Sequence, residues 1–178
     1  MNVHGEETLA DSFQDMLVFD HLEEEEVNRV LEKTSAVEYE AGAIIVEEDV
    51  VCGALYFVEQ GVVDVLKSTG TGLQQIARLE AKTVFGEMGL VSGNPSSARV
   101  IAVSAVKARV LTRASLLELI RDGDGGTAKL IFNLARVLAA RLRYLDERFV
   151  NLASQGKANH LASEIDDFRA SLFSDWDF

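Results

Sequence analysis

The sequence predicts a mainly β protein with helices: an antiparallel, jelly-roll-like β roll with a short N-terminal cover helix and a long C-terminal helix. Three observations predict it. Between Val37 and Leu111, short β-rich runs alternate with glycine or polar turns, the pattern of a sandwich or barrel. Before them, Asp20 to Glu32 carries one apolar stripe at helical spacing. After them, Thr127 to about Ser154 contains neither proline nor glycine and is the longest uninterrupted stretch.

The elements follow in order. In DHLEEEEVNRVLE, Leu22, Val27, Val30 and Leu31 share one side and the glutamates the other. The run Glu23 to Glu26 favours a helix start through the macrodipole and reads as a solvated face. The expected strands are IIVEE, ALYFVEQ, VVDVL, QQIARL, ARVIAV and VKARVL. In the last, Val106, Ala108 and Val110 alternate with Lys107 and Arg109, so one face turns inward and the other meets water. Gly61 and the stretch Ser68 to Gly72 are expected at hairpin turns. No lysine-bearing helix start follows residues 68–72, so they do not read as a phosphate loop.

Past the strands, Ser115 and Glu118 form an S-x-x-E capping box for a brief helix through Ile120. The chain breaks at RDGDGG, and Thr127 is the expected N-cap of the long helix. Within it Ile131, Leu138, Leu145 and Leu152 recur every seven residues, with Ala135, Leu142 and Phe149 as a second series. Two readings fit this seam: packing onto the roll of the same chain, or a parallel two-chain coiled coil. A helix of this length reaches beyond a small domain, which favours the second and a homodimer through the Ile131 to Leu152 seam. From Gln155 the chain turns acidic, with an apolar spacing at Leu161, Ile165, Phe168 and Leu172 that predicts a final amphipathic helix. Trp176 and Phe178 are expected to pack back on the body. The organisation is thus 1–36 as N-terminal segment and cover helix, 37–122 as the roll, 127–154 as the dimerisation helix and 155–178 as an acidic helix or tail.

Composition narrows the function classes. A chain of 178 residues has room for one cored domain with appended helices. Its net charge of −12, from 29 acidic and 17 basic residues, repels polyanions, so neither nucleic acid nor an anionic membrane is an expected partner. Cys52 is the single cysteine, which excludes an internal disulfide and a cysteine metal cluster. Met1 to Asp20 reads as neither signal peptide nor membrane span, so a cytoplasmic location is expected. His4, His21 and His160 lie far apart, and no nucleophile-base or metal-ligand spacing appears, so no enzyme activity, cofactor or metal is expected. The acidic stretch beyond Ser154 is too short for a helix-turn-helix, so direct DNA binding is not expected either.

The segment that carries chemistry is VFGEMGLVSGNPSSARVIAV, Val84 to Val103. A helical turn starting at Gly86 would present free backbone N–H groups, a setting that attracts phosphate. Gly86 allows close backbone approach, Glu87 offers acceptors for a sugar hydroxyl, and Ser96 and Ser97 add hydroxyl donors. With LEKTSAVEYEAGAIIVEED and ALYFVEQGVVDVL before it, this cassette resembles the cyclic-nucleotide-binding domain family, which includes catabolite-activator-type regulators and protein kinase A regulatory subunits. The resemblance covers roughly residues 18–150.

The resemblance implies a β roll of the cyclic-nucleotide-binding type, with cAMP, cGMP or a related anion as ligand. It implies that Glu87 holds the ribose hydroxyl and that backbone amides near Gly86, Met88 and Ala98 serve the pocket. In the family an arginine in P-R-[SA]-A pairs with the cyclic phosphate, whereas this sequence has Ser96 there. A hydrogen bond to a charged group contributes about 1.5–3 kcal/mol, so its loss would weaken binding roughly ten- to a hundredfold. Arg99 either swings toward the phosphate as a substitute or pairs with a surface acid as an ordinary strand arginine. The turn EDVVCGALY also departs from the family's E-G-D-x-G-[DE]-x-L-Y at Asp49, Cys52 and Gly53. Base selectivity, which catabolite-activator-type members draw from the long helix near Arg141 and Leu142 of this chain, does not carry over. Two readings remain: a sensor module that signals to a protein partner through its long helix, or a ligand-free roll that acts in dimerisation or docking.

Overall fold

The computed structural model describes residues 9–152, with side chains to Glu147. The expected helix and tail at 155–178, with Trp176 and Phe178, lie outside the described residues, as do the side chains of Phe149 and Leu152. The chain divides into one compact unit up to Val137 and a second from Leu138 onward.

Eight strands build two antiparallel sheets of four. They are β1 (Ser35–Tyr39), β2 (Ile44–Val46), β3 (Ala54–Gln60), β4 (Val62–Thr69), β5 (Gly72–Glu80), β6 (Thr83–Phe85), β7 (Arg99–Ala102) and β8 (Val106–Thr112). One sheet runs β1-β8-β3-β6 and the other β2-β7-β4-β5. The helices are α1 (Leu9–Gln14), α2 (Glu24–Glu32), α3 (Glu87–Ser92), α4 (Arg113–Asp122) and α5 (Gly125–Leu152), with a 3-10 turn at Leu17–Phe19. The molecule is therefore a mainly β roll with flanking helices. The strand β1, the helix α1 and the 3-10 turn have no counterpart among the expected elements.

Apolar residues segregate into two cores. Val46, Ala54, Tyr56, Val58, Val63, Phe85, Val100, Ala102, Val106 and Ala108 fill the space between the sheets. On the helix side, Phe57 stacks on Phe19 at 5.3 Å and meets Phe13 edge-on at 6.5 Å, amid Val27, Val30 and Leu31 of α2 and Leu130, Leu134 and Val137 of α5. Strand β3 supplies both cores, Leu55 and Phe57 to one face and Tyr56 and Val58 to the other. That is why ALYFV reads as an unbroken apolar run. It also corrects the expectation of a sheet wet on one side: in β8, Leu111 is buried toward the helices, and Arg109 donates to Thr34 Oγ1 (2.6 Å) and Leu31 O (3.1 Å).

Three local expectations are corrected. Gly61 does not turn a hairpin, because β3 and β4 belong to different sheets. It sits at φ +97°, where a Cβ would come within 2.3 Å of Ala105 O, and passes the chain from one sheet to the other. The hairpin at 68–72 does form, with Thr69 opposite Gly72. Helix α4 starts two residues before the expected Ser115 and is capped by Thr112, whose hydroxyl accepts from Ser115 N (3.1 Å). Helix α5 starts at Gly125, and Thr127 is no cap: Asp124 Oδ1 accepts from Thr127 N (2.6 Å) while the buried Thr127 hydroxyl donates to Leu119 O (3.4 Å). At α2, Glu23 and Glu26 form the reciprocal capping box, and Glu26 also pairs with Lys129 (2.7 Å).

Candidate functional site

Strand β6 ends at Phe85, and the next residue, Gly86, holds φ +88°, where a Cβ would lie 2.2 Å from Ala54 O. Both the left-handed backbone and the close approach to β3 exclude a side chain. The sharp exit starts α3 and turns Glu87 inward: it is 3% exposed, and its Oε2 is buried. A carboxylate so placed requires polar partners, since desolvating a charge without them costs several kcal/mol or more. Met88, the next residue, faces out, and Gly93 closes α3 with its N–H bonded to Gly89 O (3.0 Å).

The segment after Pro95 is fixed against the turn that leaves β2. Ser96 N donates to Val50 O and Asp49 N to Ser96 O, each at 2.9 Å, with Asp49 at φ +61°. Ser97 is exposed, and its hydroxyl reaches Met88 Sδ at 3.7 Å. Ala98 is buried where β7 begins. The same turn continues through Gly53 to Ala54, against which Gly86 packs. Gly86 and Ser96 thus both meet residues 49–54, and the neighbouring Met88 and Ser97 meet each other. Arg99 is directed elsewhere: its Nε and Nη2 lie 2.9 and 2.8 Å from Glu47 Oε2.

A second charged pair lies closer. Lys67 Nζ donates to Ser97 O at 2.6 Å and lies 2.5 Å from Glu48 Oε1, while Glu48 Oε2 accepts from Ser68 N at 2.9 Å. The lysine's hydrogen bond, with those of Ser68, holds the Glu48 carboxyl down at about 2. Neither residue is among the expected site residues. The signal for Lys67 was present in VVDVLK, where strand alternation sets it on the face of Val63 and Val65. Its partners Glu48 and Ser97 come from the turn after β2 and the segment before β7, so no local pattern names them. Deeper between the sheets Tyr56 stacks on Phe85 at 4.7 Å, and its hydroxyl lies 3.4 Å from Cys52 Sγ. Burial pushes the Tyr39 and Tyr56 hydroxyls above their ordinary range. Among the described residues no group of three or more His, Cys, Asp or Glu could hold a metal ion, and no helix is long and apolar enough to cross a membrane.

Comparison with known proteins places this site in context. Residues 36–122 match the family model of the cyclic nucleotide-binding domain. The chain is 29% identical over 121 residues to a cAMP-dependent protein kinase regulatory subunit of Dictyostelium discoideum, a match that covers 67% of this chain and 37% of that protein. The chain therefore spans little more than a third of that relative's length. Among solved structures, the Thermus thermophilus catabolite activator protein is similar at a TM-score of 0.70 and 31% identity, over 77% of this chain and 63% of that one. A cyclic nucleotide-binding domain from Methylobacillus flagellatus shares the fold at a TM-score of 0.74 and 24% identity, over 80% of this chain and 83% of that one.

Proposed function

Residues 36–122 belong to the cyclic nucleotide-binding domain family, and on that premise we propose that the chain is a sensor module that binds cAMP or cGMP and signals through α5. The observation that carries the reading is Glu87, a carboxylate buried directly after a glycine that no other residue can replace. A fold keeps an acid so enclosed when its oxygens have a polar task, and the acceptors of a carboxylate suit a ribose hydroxyl. Ser97 and the backbone of Ser96 to Ala98, tied to Asp49 and Val50, border the same place and supply polar groups for the cyclic phosphate. The name of the Dictyostelium relative, a cAMP-dependent regulatory subunit, favours cAMP as the first ligand to test.

Ligand can shift α5 only if it favours one of two arrangements. The proposed output is dimerisation or partner docking through the exposed apolar residues of that helix. Isothermal titration of the folded protein with cAMP, cGMP and cyclic dinucleotides tests the binding. Heat with a cyclic mononucleotide, abolished in Glu87→Ala, is expected; no heat with any of them overturns the reading.

A specific observation favours the other reading, a ligand-free roll that acts only in dimerisation or docking. Ser96 occupies the family's arginine position, and Arg99 is engaged by Glu47. On that reading, Glu87→Ala leaves partner interactions intact, whereas disrupting Leu138 and Leu145 abolishes them.

A further inference from the structure

We infer that Lys67 is the cation that meets the ligand's anionic group, and that Glu48 is a built-in competitor which the anion must displace. The inference rests on the ligand-binding reading of the same site and names the charge that reading lacks. Val63 and Val65 of β4 face the space between the sheets, and the pleat puts Lys67 on that face at the strand's end. The contrast within β4 is informative. Asp64, on the opposite face, pairs with Arg78 through bonds of 2.7 and 2.8 Å across the β4–β5 rung, within one sheet and away from residues 96–98. Lys67 instead continues the face of Val63 and Val65 where it opens to solvent: its side chain is 44% exposed, whereas the Glu48 side chain it pairs with is only 9% exposed. A carboxylate withdrawn from water in this way persists only with partners in good geometry.

The other cations nearby are committed elsewhere. Arg99 is held by Glu47, and Arg113 lies against Gly93 at the far end of α3. Lys67 is the cation whose bond reaches the 96–98 backbone, and Ser97 and Met88 touch one another on the same side. An ammonium carries three donors; two are directed at Ser97 O and Glu48 Oε1. A lysine head is a compact point charge on a flexible stem. It can turn from the Glu48 carboxylate to an arriving anionic oxygen while β4 stays in place. Glu48 neutralises Lys67 in the ligand-free protein, so the anion gains only by replacing that carboxylate.

This predicts opposite signs for two neighbouring variants. K67M removes the charge and weakens binding about ten- to a hundredfold, the range for losing a bond to a charged group. E48Q keeps an acceptor for Ser68 N but leaves the lysine charge uncompensated, so it tightens binding. A purely structural ion pair predicts loss or no change in both. The experiment is calorimetry and thermal-shift measurement on wild type, K67M, E48Q, R99M and, as a control on β8, K107M. The probes are cAMP and inorganic phosphate.

Weaker cAMP binding in K67M, tighter binding in E48Q and a smaller loss in R99M than in K67M support the inference. Wild-type affinity in K67M, or a larger loss in R99M than in K67M, overturns it. If wild type gives no heat with cAMP, the cyclic-nucleotide reading falls and phosphate alone decides. A stabilisation by phosphate that disappears in K67M and grows in E48Q sustains Lys67 as an anion contact. No such stabilisation in wild type, or an equal one in K67M, overturns it. Should K67M fail to fold, E48Q decides by its sign: tighter binding supports, unchanged or weaker binding overturns.

Discussion

Gly86 is demanded twice, by its backbone angle and by Ala54 O, which would lie 2.2 Å from a Cβ. Gly86→Ala is therefore expected to destabilise the fold by about 1–3 kcal/mol or more, read from the urea midpoint, because neither β3 nor the turn can yield cheaply. Ser96 invites the opposite experiment. If a phosphate binds beside it, Ser96→Arg restores the family's charge partner, and calorimetry should show affinity for cAMP rising roughly ten- to a hundredfold. At this scale the cassette from Gly86 to Ala98 was legible as a string, because its members are close in sequence and turn geometry is local. The bond from Lys67 to Ser97 was not legible. A lysine toward the end of an alternating strand reads as a solvated terminus until Glu48 and Ser97, from two connecting segments, are placed beside it.

Among the elements, β3 shows how burial on both faces stabilises the roll: its side chains feed the inter-sheet core and the aromatic cluster of Phe13, Phe19 and Phe57. Phe57→Ala should cost about 3–5 kcal/mol in chemical denaturation, since that cluster is closed by three elements and cannot collapse into the gap. The β2–β4 junction has a pH signature. The Glu48 carboxyl, ordinarily at 4.5, is held at about 2 by Lys67 and Ser68. A lowered folded-state value means stability that is fully present above 4.5 and lost as pH falls toward 2. Denaturation midpoints of wild type and E48Q should accordingly converge as pH is lowered from about 5 to 2; a constant gap would show that the ion pair contributes nothing. The strand positions were legible from β-branched runs and turns, but the role of Gly61 was not. A glycine between two apolar runs looks the same whether the runs pair or part, and only the pairing of β3 with β8 and of β4 with β7 decides.

At the scale of the molecule, α5 carries two apolar faces. Leu130, Leu134 and Val137 are buried in the helix-side core, whereas Ile131, Leu142 and Leu145 are exposed. Ile131 and Leu145 of the seven-residue seam and Leu142 of its second series are among the exposed residues, and a coiled-coil partner is the occupant expected for them. L142E combined with L145E should leave the thermal midpoint of the roll within a few degrees yet convert a dimer to a monomer in sedimentation, whereas an unchanged sedimentation coefficient would remove the seam as an interface. The sequence by itself determined the mainly β roll, its flanking amphipathic helices and the Gly86 to Ala98 cassette, because alternation, helical spacing and turn chemistry act over a few residues. Only the tertiary structure decided which strands share a sheet, that β3 and β8 are covered on both sides, that Arg99 belongs to Glu47, and that Lys67 meets Glu48 and Ser97. Pairings across twenty to eighty residues are set by which faces can be buried together, and a linear pattern does not contain that choice.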